Sequence, residues 1–319
     1  MVKLSNAENR RLDDAARAGW LYYVAGNTQD EIAKKLGISR QSAQRMVALS
    51  VSEKLIKVRL DHPIAKCMDL ADKIASRFGL LSCEVVPSDP SDPSSTVGLA
   101  QAGANEIERH LKSEQTTTLA MGTGRVLRAC VDELAPLNCP QHKIVALLGN
   151  MASDGSASPY DVVVRMAERV NAKHYPMPLP VLPISPQEKQ QLQKLPYITQ
   201  NMTLAQQADV TFVGVGNLGA NSPLQLDGFV TPQELDELQS GGAVGEIISW
   251  VFDRNGQLLD CGVNQRVAST PLLVGSTKPV FALAAGEEKV YAILGALRSK
   301  LVNSLITNEY TAERLLSID

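Results

Sequence analysis

Thr28–Ser50, TQDEIAKKLGISRQSAQRMVALS, reads as two short helices joined by a tight turn. Thr28 followed three residues later by Glu31 forms a capping box, in which hydroxyl and carboxylate each accept from the other residue's backbone amide. Ile32, Ala33 and Leu36 make the inner stripe of the first helix, and Ala33 is small enough for two helices to cross closely. Gly37 supplies a turn that needs a positive φ. Ile38 plugs the angle between the helices, and Ser39 caps the second, whose inner face is Ala43, Met46 and Val47.

Outward from that second helix point Arg40, Gln41, Gln44 and Arg45. These side chains suit the major groove of DNA, because glutamine pairs bidentately with adenine and arginine with guanine. A capped helix start with Thr28 or Ser39 beside it can approach a phosphate. The alternative is a solvated face on an ordinary helical hairpin. Upstream, Glu8–Ala25 reads as a supporting amphipathic helix with Leu12, Ala15, Ala16, Trp20, Tyr23 and Val24 inward, ended by Gly26-Asn27. Downstream, residues 54–60 suggest a short strand or wing carrying Lys54, Lys57 and Arg59, either phosphate contacts or plain solvated cations.

Composition places this head on a larger body. The 319 residues exceed one ordinary domain, and 44% hydrophobic residues with 4% aromatics favour helices packed on a buried parallel sheet. The net charge of −3 is unevenly spread: residues 1–62 hold eleven Lys/Arg against seven Asp/Glu, leaving the rest at −7. A basic head on an acidic body localises nucleic-acid affinity in the head. The expected domains are therefore 1–62 and 63–319, divided at Pro63.

Five isolated cysteines, without a C-x-x-C pair or a zinc spacing, fit a reducing cytosol. No secretory signal and no membrane-length apolar run is present, so the expected location is cytoplasmic.

The body alternates strand, glycine turn and helix. A helix over Ile64–Phe78, with Ile64, Cys67, Met68, Ala71, Ile74 and Ala75 on one stripe, precedes a strand at 83–86 and a Pro/Ser/Asp loop at 87–96. Strands follow at 117–121, 143–148, 173–178, 210–215 and 279–285, with a hairpin over 244–263. The pattern predicts an α/β fold with a doubly wound, mostly parallel sheet, whose ligands gather at the carboxyl ends of its strands.

Candidate binding residues sit at those ends. Gly122-Thr123-Gly124-Arg125 precedes a helix and either offers bare amides to an anion or simply turns the chain. It lacks the third glycine and the acid of a dinucleotide site, so NAD is excluded and no cofactor is expected. Gly216 and Asn217 lie in the glycine-rich loop 214–219. Gly286 opens a second turn ending in Lys289, a cation unfavourable in a helix's first turn unless it meets an anion or solvent. Glu246, inside an apolar run, either accepts two hydroxyls of a sugar or polyol or is an exposed strand residue. No catalytic set emerges: the four histidines lack a nucleophile partner, and Asp154 and Asp161 are ordinary loop and helix-start acids.

Across the chain, 20–47 (WLYYVAGNTQDEIAKKLGISRQSAQRMV), 208–216 (ADVTFVGVG), 241–256 (GGAVGEIISWVFDRNG), 282–297 (ALAAGEEKVYAILGAL) and 305–316 (LITNEYTAERLL) resemble the SorC family of bacterial transcriptional regulators, the sugar-binding DeoR-like group. The resemblance implies a helix-turn-helix head, a sugar-phosphate-isomerase-like effector domain and assembly as a homotetramer or dimer. It also implies control of a carbohydrate or sugar-alcohol operon. In the family's pattern the loop matching Gly122–Leu127 and the lysine matching Lys289 hold phosphate, and the acid matching Glu246 holds hydroxyls. Leu127 and Arg125 depart from that pattern, so a phosphorylated sugar and a free sugar or polyol both stay open. A sugar-phosphate isomerase or deaminase of the same body fold is the competing class, which would not need Thr28–Ser50.

Overall fold

In a computed structural model of the chain, the described residues are 6–318 except 57, 59–61, 63, 153, 154 and 158–160. Lys57, Arg59, Pro63 and Asp154, each given a place above, lie outside them. The chain divides into two compact units, Met1–His62 and Pro63–Asp319.

The described residues of the first unit form three helices: α1 (Asn6–Tyr23), α2 (Gln29–Leu36) and α3 (Arg40–Ser52). Local signals set α2 and α3. Thr28 N–H donates to Glu31 Oε2 at 2.7 Å while Glu31 N–H donates to Thr28 Oγ1 at 3.3 Å, which is the capping box. Gly37 takes φ 67°, where a Cβ would be strained, and Ser39 Oγ accepts from Ser42 N–H at 3.1 Å. Ala18, Ile32, Ala33, Ala43 and Val47 form the core.

The stripe expected on α1 is wrong in its second half. Trp20, Tyr23 and Val24 are exposed, and the buried face runs through Ala15, Ala18 and Gly19. The reason is proximity: α1 lies so close to α3 that a Cβ on Gly19 would overlap Ser50 and Ile56, which leaves room only for small residues. No strand or wing forms among the described residues of 53–58; Glu53–Ile56 turn and bend, with Lys54 at φ 55°.

The second unit runs α4 (Ala65–Phe78), β1 (Ser82–Val86), α5 (Val97–Leu111), β2 (Thr118–Met121), α6 (Arg125–Glu133), β3 (Lys143–Ala146), α7 (Val163–Val170) and β4 (Lys173–Tyr175). It continues with α8 (Pro186–Gln193), α9 (Pro196–Gln206), β5 (Val210–Gly214), β6 (Gly216–Asn217), α10 (Pro223–Leu226) and α11 (Pro232–Ser240). The chain closes through β7 (Ala243–Ile247), β8 (Trp250–Asp253), α12 (Gly262–Arg266), β9 (Val280–Leu283), a 3-10 turn at Glu287–Lys289, α13 (Val290–Arg298), β10 (Ser304–Asn308) and α14 (Glu309–Ser317).

Seven strands form one sheet in the order β1-β10-β9-β5-β2-β3-β4. Every pair in it is parallel, and its inner strands are buried on both faces, while the edge strands β1 and β4 keep exposed residues. At its centre Met121, Phe212 and Phe281 stand in register across β2, β5 and β9, and the two rings stack at 5.2 Å. The winding reverses between β2 and β5: β3 and β4 extend one way, β9 and β10 the other. That reversal opens a crevice beyond the strands' carboxyl ends.

On α4 the buried stripe is Cys67, Leu70 and Ile74, and Met68 is exposed rather than inward, because the helix packs on β1 and α14. The hairpin over 244–263 is a tighter meander. β7 pairs antiparallel with β8 through a two-residue turn at Ile248 and Ser249, and Gln257–Leu259 then folds back on Val251–Asp253. Together β6, β7 and β8 make a small antiparallel sheet beside the large one.

Candidate functional site

Three glycine-rich turns leave the central strands side by side. After β2 the chain turns at Gly124 (φ 114°) into α6, and after β9 it turns at Gly286 (φ 113°) into the 3-10 turn and α13. Both are backbone conformations open only to glycine. Between them β5 runs directly into β6. Residues some ninety and seventy positions apart in sequence thus converge because β2, β5 and β9 are neighbours.

They enclose a cavity of about 300 Å³, the lower end of the range for small-molecule sites. Of the effector-site candidates, Thr123, Gly124, Arg125, Gly216, Asn217, Glu246 and Lys289 line it. Gly122 and Gly286 do not; Gly122 N–H is tied to Phe212 O at 2.8 Å and Gly286 N–H to Thr311 Oγ1 at 2.9 Å. Their part is to shape the turns. Leu127 is fully buried in the core below, away from the cavity.

Glu246 is half-buried at the cavity wall. It faces Gly216 across β6 and β7, and its Oε2 accepts from Ser249 N–H at 2.7 Å. Burial pushes its carboxyl above the usual range; the Ser249 amide and the Lys289 charge pull the other way, and Asp227 adds to the rise. Burial lowers the Lys289 ammonium, against the attraction of Glu246 and Glu288 and together with the repulsion of Arg125. Among the described residues no carboxylate closes to ion-pair distance on Lys289.

The turn that presents Glu246 is strained. Ile248 and Ser249 have φ of 46° and 71°, the two positive values of a type I′ hairpin turn, with neither glycine nor asparagine to accommodate them. Both line the cavity. A β-branched residue in that region is a genuine outlier, and such strain clusters at ligand sites.

Three further side chains were missed by sequence reasoning. Asp227 Oδ1 accepts from Arg125 Nη2 at 3.0 Å, and Glu288 accepts from Asn221 Nδ2 at 3.2 Å and Asn217 Nδ2 at 3.5 Å. Asp227-Gly228 looks like any loop turn, and Asn221 and Asp227 are brought in only by the loop that carries α10. The Asn-Ser-Pro run at 221–223, a helix-start signal, is the one available clue.

Other titratable groups serve the fold. His142 Nδ1 accepts from Thr117 N–H at 3.1 Å while Nε2 meets Leu111 O at 3.0 Å, and Asp161 Oδ1 accepts from Val163 N–H. Among the described residues no group of three or more His, Cys, Asp or Glu gathers as metal ligands would.

In the first unit, Thr28, Ser39, Arg40, Gln41, Gln44 and Arg45 are all exposed. Arg40, Gln41, Gln44 and Arg45 all stand on α3, whose buried residues are Ala43, Val47 and Ser50. Arg40 Nε meets Asp30 Oδ1 at 3.5 Å, a surface pair of the kind worth at most about 1 kcal/mol.

A doubly wound body with a polar cleft at its switch point, in one chain with a capped helical head, is an architecture that would suit a DNA-binding transcriptional regulator with a sugar-binding domain. Comparison with known proteins agrees. The family described as "Putative sugar-binding domain" matches residues 62–317. The erythritol catabolism regulatory protein EryD of Brucella abortus is 32% identical over 302 residues, covering 95% of this chain and 96% of that protein. The sorbitol operon regulator of Klebsiella pneumoniae is 26% identical over 98% of this chain and 100% of that protein. The crystal structure of that full-length regulator, SorC, superposes with a TM-score of 0.70 at 25% identity, covering 96% of this chain and 99% of that one. The chain belongs to the SorC family of sugar-binding transcriptional regulators.

Proposed function

We propose that this chain controls a carbohydrate or sugar-alcohol catabolic operon, reading operator DNA with α3 and a polyhydroxylated effector with the cavity around Glu246. The observation that carries the reading is the cavity: it gathers Thr123, Asn217, Glu246 and Lys289 at the carboxyl ends of the central strands. Hydroxyl-rich ligands suit such a set, because a carboxylate accepts from two hydroxyls and an ammonium donates to a third. The head, which an isomerase or deaminase of the same body fold would not need, favours a sensor over an enzyme and gives that sensor something to control.

In the head, Arg40, Gln41, Gln44 and Arg45 read base edges, while Thr28 and Ser39 bring helix starts to the phosphates. The regulator works as a homo-oligomer, tetramer or dimer, in the cytoplasm. Effector binding shifts the population between two arrangements of the body and so alters how paired heads match two half-sites. Among the described residues no helix is long and apolar enough to cross a membrane.

The test is a gel shift at fixed salt on DNA upstream of the chain's own gene. Arg40→Ala with Gln44→Ala abolishes the specific complex; retention of wild-type affinity would sink the assignment of α3.

A further inference from the structure

Among the described residues five ionisable side chains line the cavity, and their balance is unfavourable to an anion. Arg125 and Lys289 bring two positive charges against three negative ones from Asp227, Glu246 and Glu288, a net of −1. Should Glu246 and Lys289 both be neutral, the remaining three groups still sum to −1.

Position matters more than the total. Arg125 stands at the start of α6, where a bare glycine cap and a guanidinium would together receive a phosphate. Asp227 already holds that guanidinium at 3.0 Å, and its own side chain is the less exposed of the pair, 19% against 49%. The chain's own carboxylate therefore stands in for a ligand anion. Glu288, fixed by the amides of Asn217 and Asn221, faces the same space from the β9 turn. A phosphate monoester brings about −1.5 to −2 at neutral pH. Entering here, it must displace Asp227 or lie beside two further carboxylates, where partial desolvation strengthens the repulsion.

An uncharged chain of hydroxyls meets no such conflict. Its hydroxyls donate to Glu246 and Glu288 and accept from Lys289, and its C–H edges lie against Leu148, Val181 and Phe229. Accepting the cavity as the effector site, we infer that it takes an uncharged short polyol, and that Asp227 excludes the phosphorylated form by occupying Arg125.

Calorimetric titration of the full chain with erythritol, xylitol and sorbitol, and with the monophosphate of each, tests this. A free polyol binds the wild type at least about tenfold more tightly than its ester, as expected where repulsion stands in place of a charge-assisted hydrogen bond, and inorganic phosphate does not compete. Asp227→Asn releases Arg125 from that carboxylate and tightens ester binding by about tenfold or more; Asp227→Ala does the same should the asparagine misfold.

Three results overturn the inference: an ester that binds the wild type as tightly as the free polyol, the absence of binding by every free polyol, or Asp227 variants that fold but gain nothing for the ester. Gly216→Ala separates the two levels. If it abolishes binding of an ester, the cavity stands and only the ligand class falls; if binding of the preferred ligand ignores it, the cavity reading falls too.

Discussion

Gly216 and Glu246 face each other across the antiparallel pair β6 and β7, so closely that a Cβ at position 216 would occupy the space of the Glu246 carboxylate. The glycine is what lets an acid in an apolar strand turn its head group into the cavity. Gly216→Ala forces the carboxylate away from its Ser249 amide. Overpacking of this kind costs about 1–3 kcal/mol, and isothermal calorimetry is expected to show effector affinity reduced by more than about tenfold, the equivalent of one charge-assisted hydrogen bond.

Glu246 also leaves a signature in pH. Its folded-state pKa lies above the ordinary glutamate value, so the folded protein holds the proton more tightly than the unfolded chain. Stability then falls as pH rises from the ordinary value through the raised one, because the unfolded state releases its proton first. Glu246→Gln cannot ionise and lacks that fall. Urea denaturation at a series of pH values should show the variant gaining on the wild type as pH rises above the ordinary carboxylate range. A difference that shrinks with rising pH would contradict the burial of this group.

The turn at Ile248 and Ser249 stores strain that glycine would relieve. Ser249→Gly keeps the backbone N–H that holds Glu246 and removes a side chain from φ 71°. The unliganded protein should gain about 1 kcal/mol, read as a higher denaturant midpoint. A loss of stability would mean that the Ser249 side chain contributes more than its backbone costs.

In the head, Thr28→Ala removes the hydroxyl half of the capping box, keeps the backbone N–H that donates to Glu31, and should cost about 1 kcal/mol. Arg40→Ala and Gln44→Ala, both at exposed positions, should each change stability by less than about 0.5 kcal/mol. Thermal melts of residues 1–62 within the full chain, followed by the fluorescence of Trp20, distinguish the two classes.

The head is legible in sequence because its determinants are local: Thr28 with Glu31, Gly37 and Ser39 each act within a turn of where they stand. The repeated strand, turn and helix units likewise point to the parallel sheet. What fails depends on distance. Hydrophobicity alone places Trp20 and Met68 inward, yet close approach of α1 to α3 favours Gly19, and packing against β1 and α14 favours Leu70. The helix α5 after the Pro/Ser/Asp loop escapes the sequence reading, and the β7 to β8 turn carries no glycine or asparagine to mark it. In the cavity, Thr123, Asn217, Glu246 and Lys289 follow from strand ends and local inconsistencies. Asp227, Asn221 and Glu288 do not, because only the fold brings the α10 loop against α6 and the β9 turn.

The central claim, that the cavity around Glu246 governs the hold of α3 on DNA, is tested most directly by fluorescence anisotropy of labelled operator titrated with wild-type protein and with Gly216→Ala, each with and without free polyol. Polyol is predicted to shift the wild-type operator affinity by about fivefold or more, the usual range of coupling between sites, and to leave the Gly216→Ala curve where it was. An equal shift in both proteins would contradict the account.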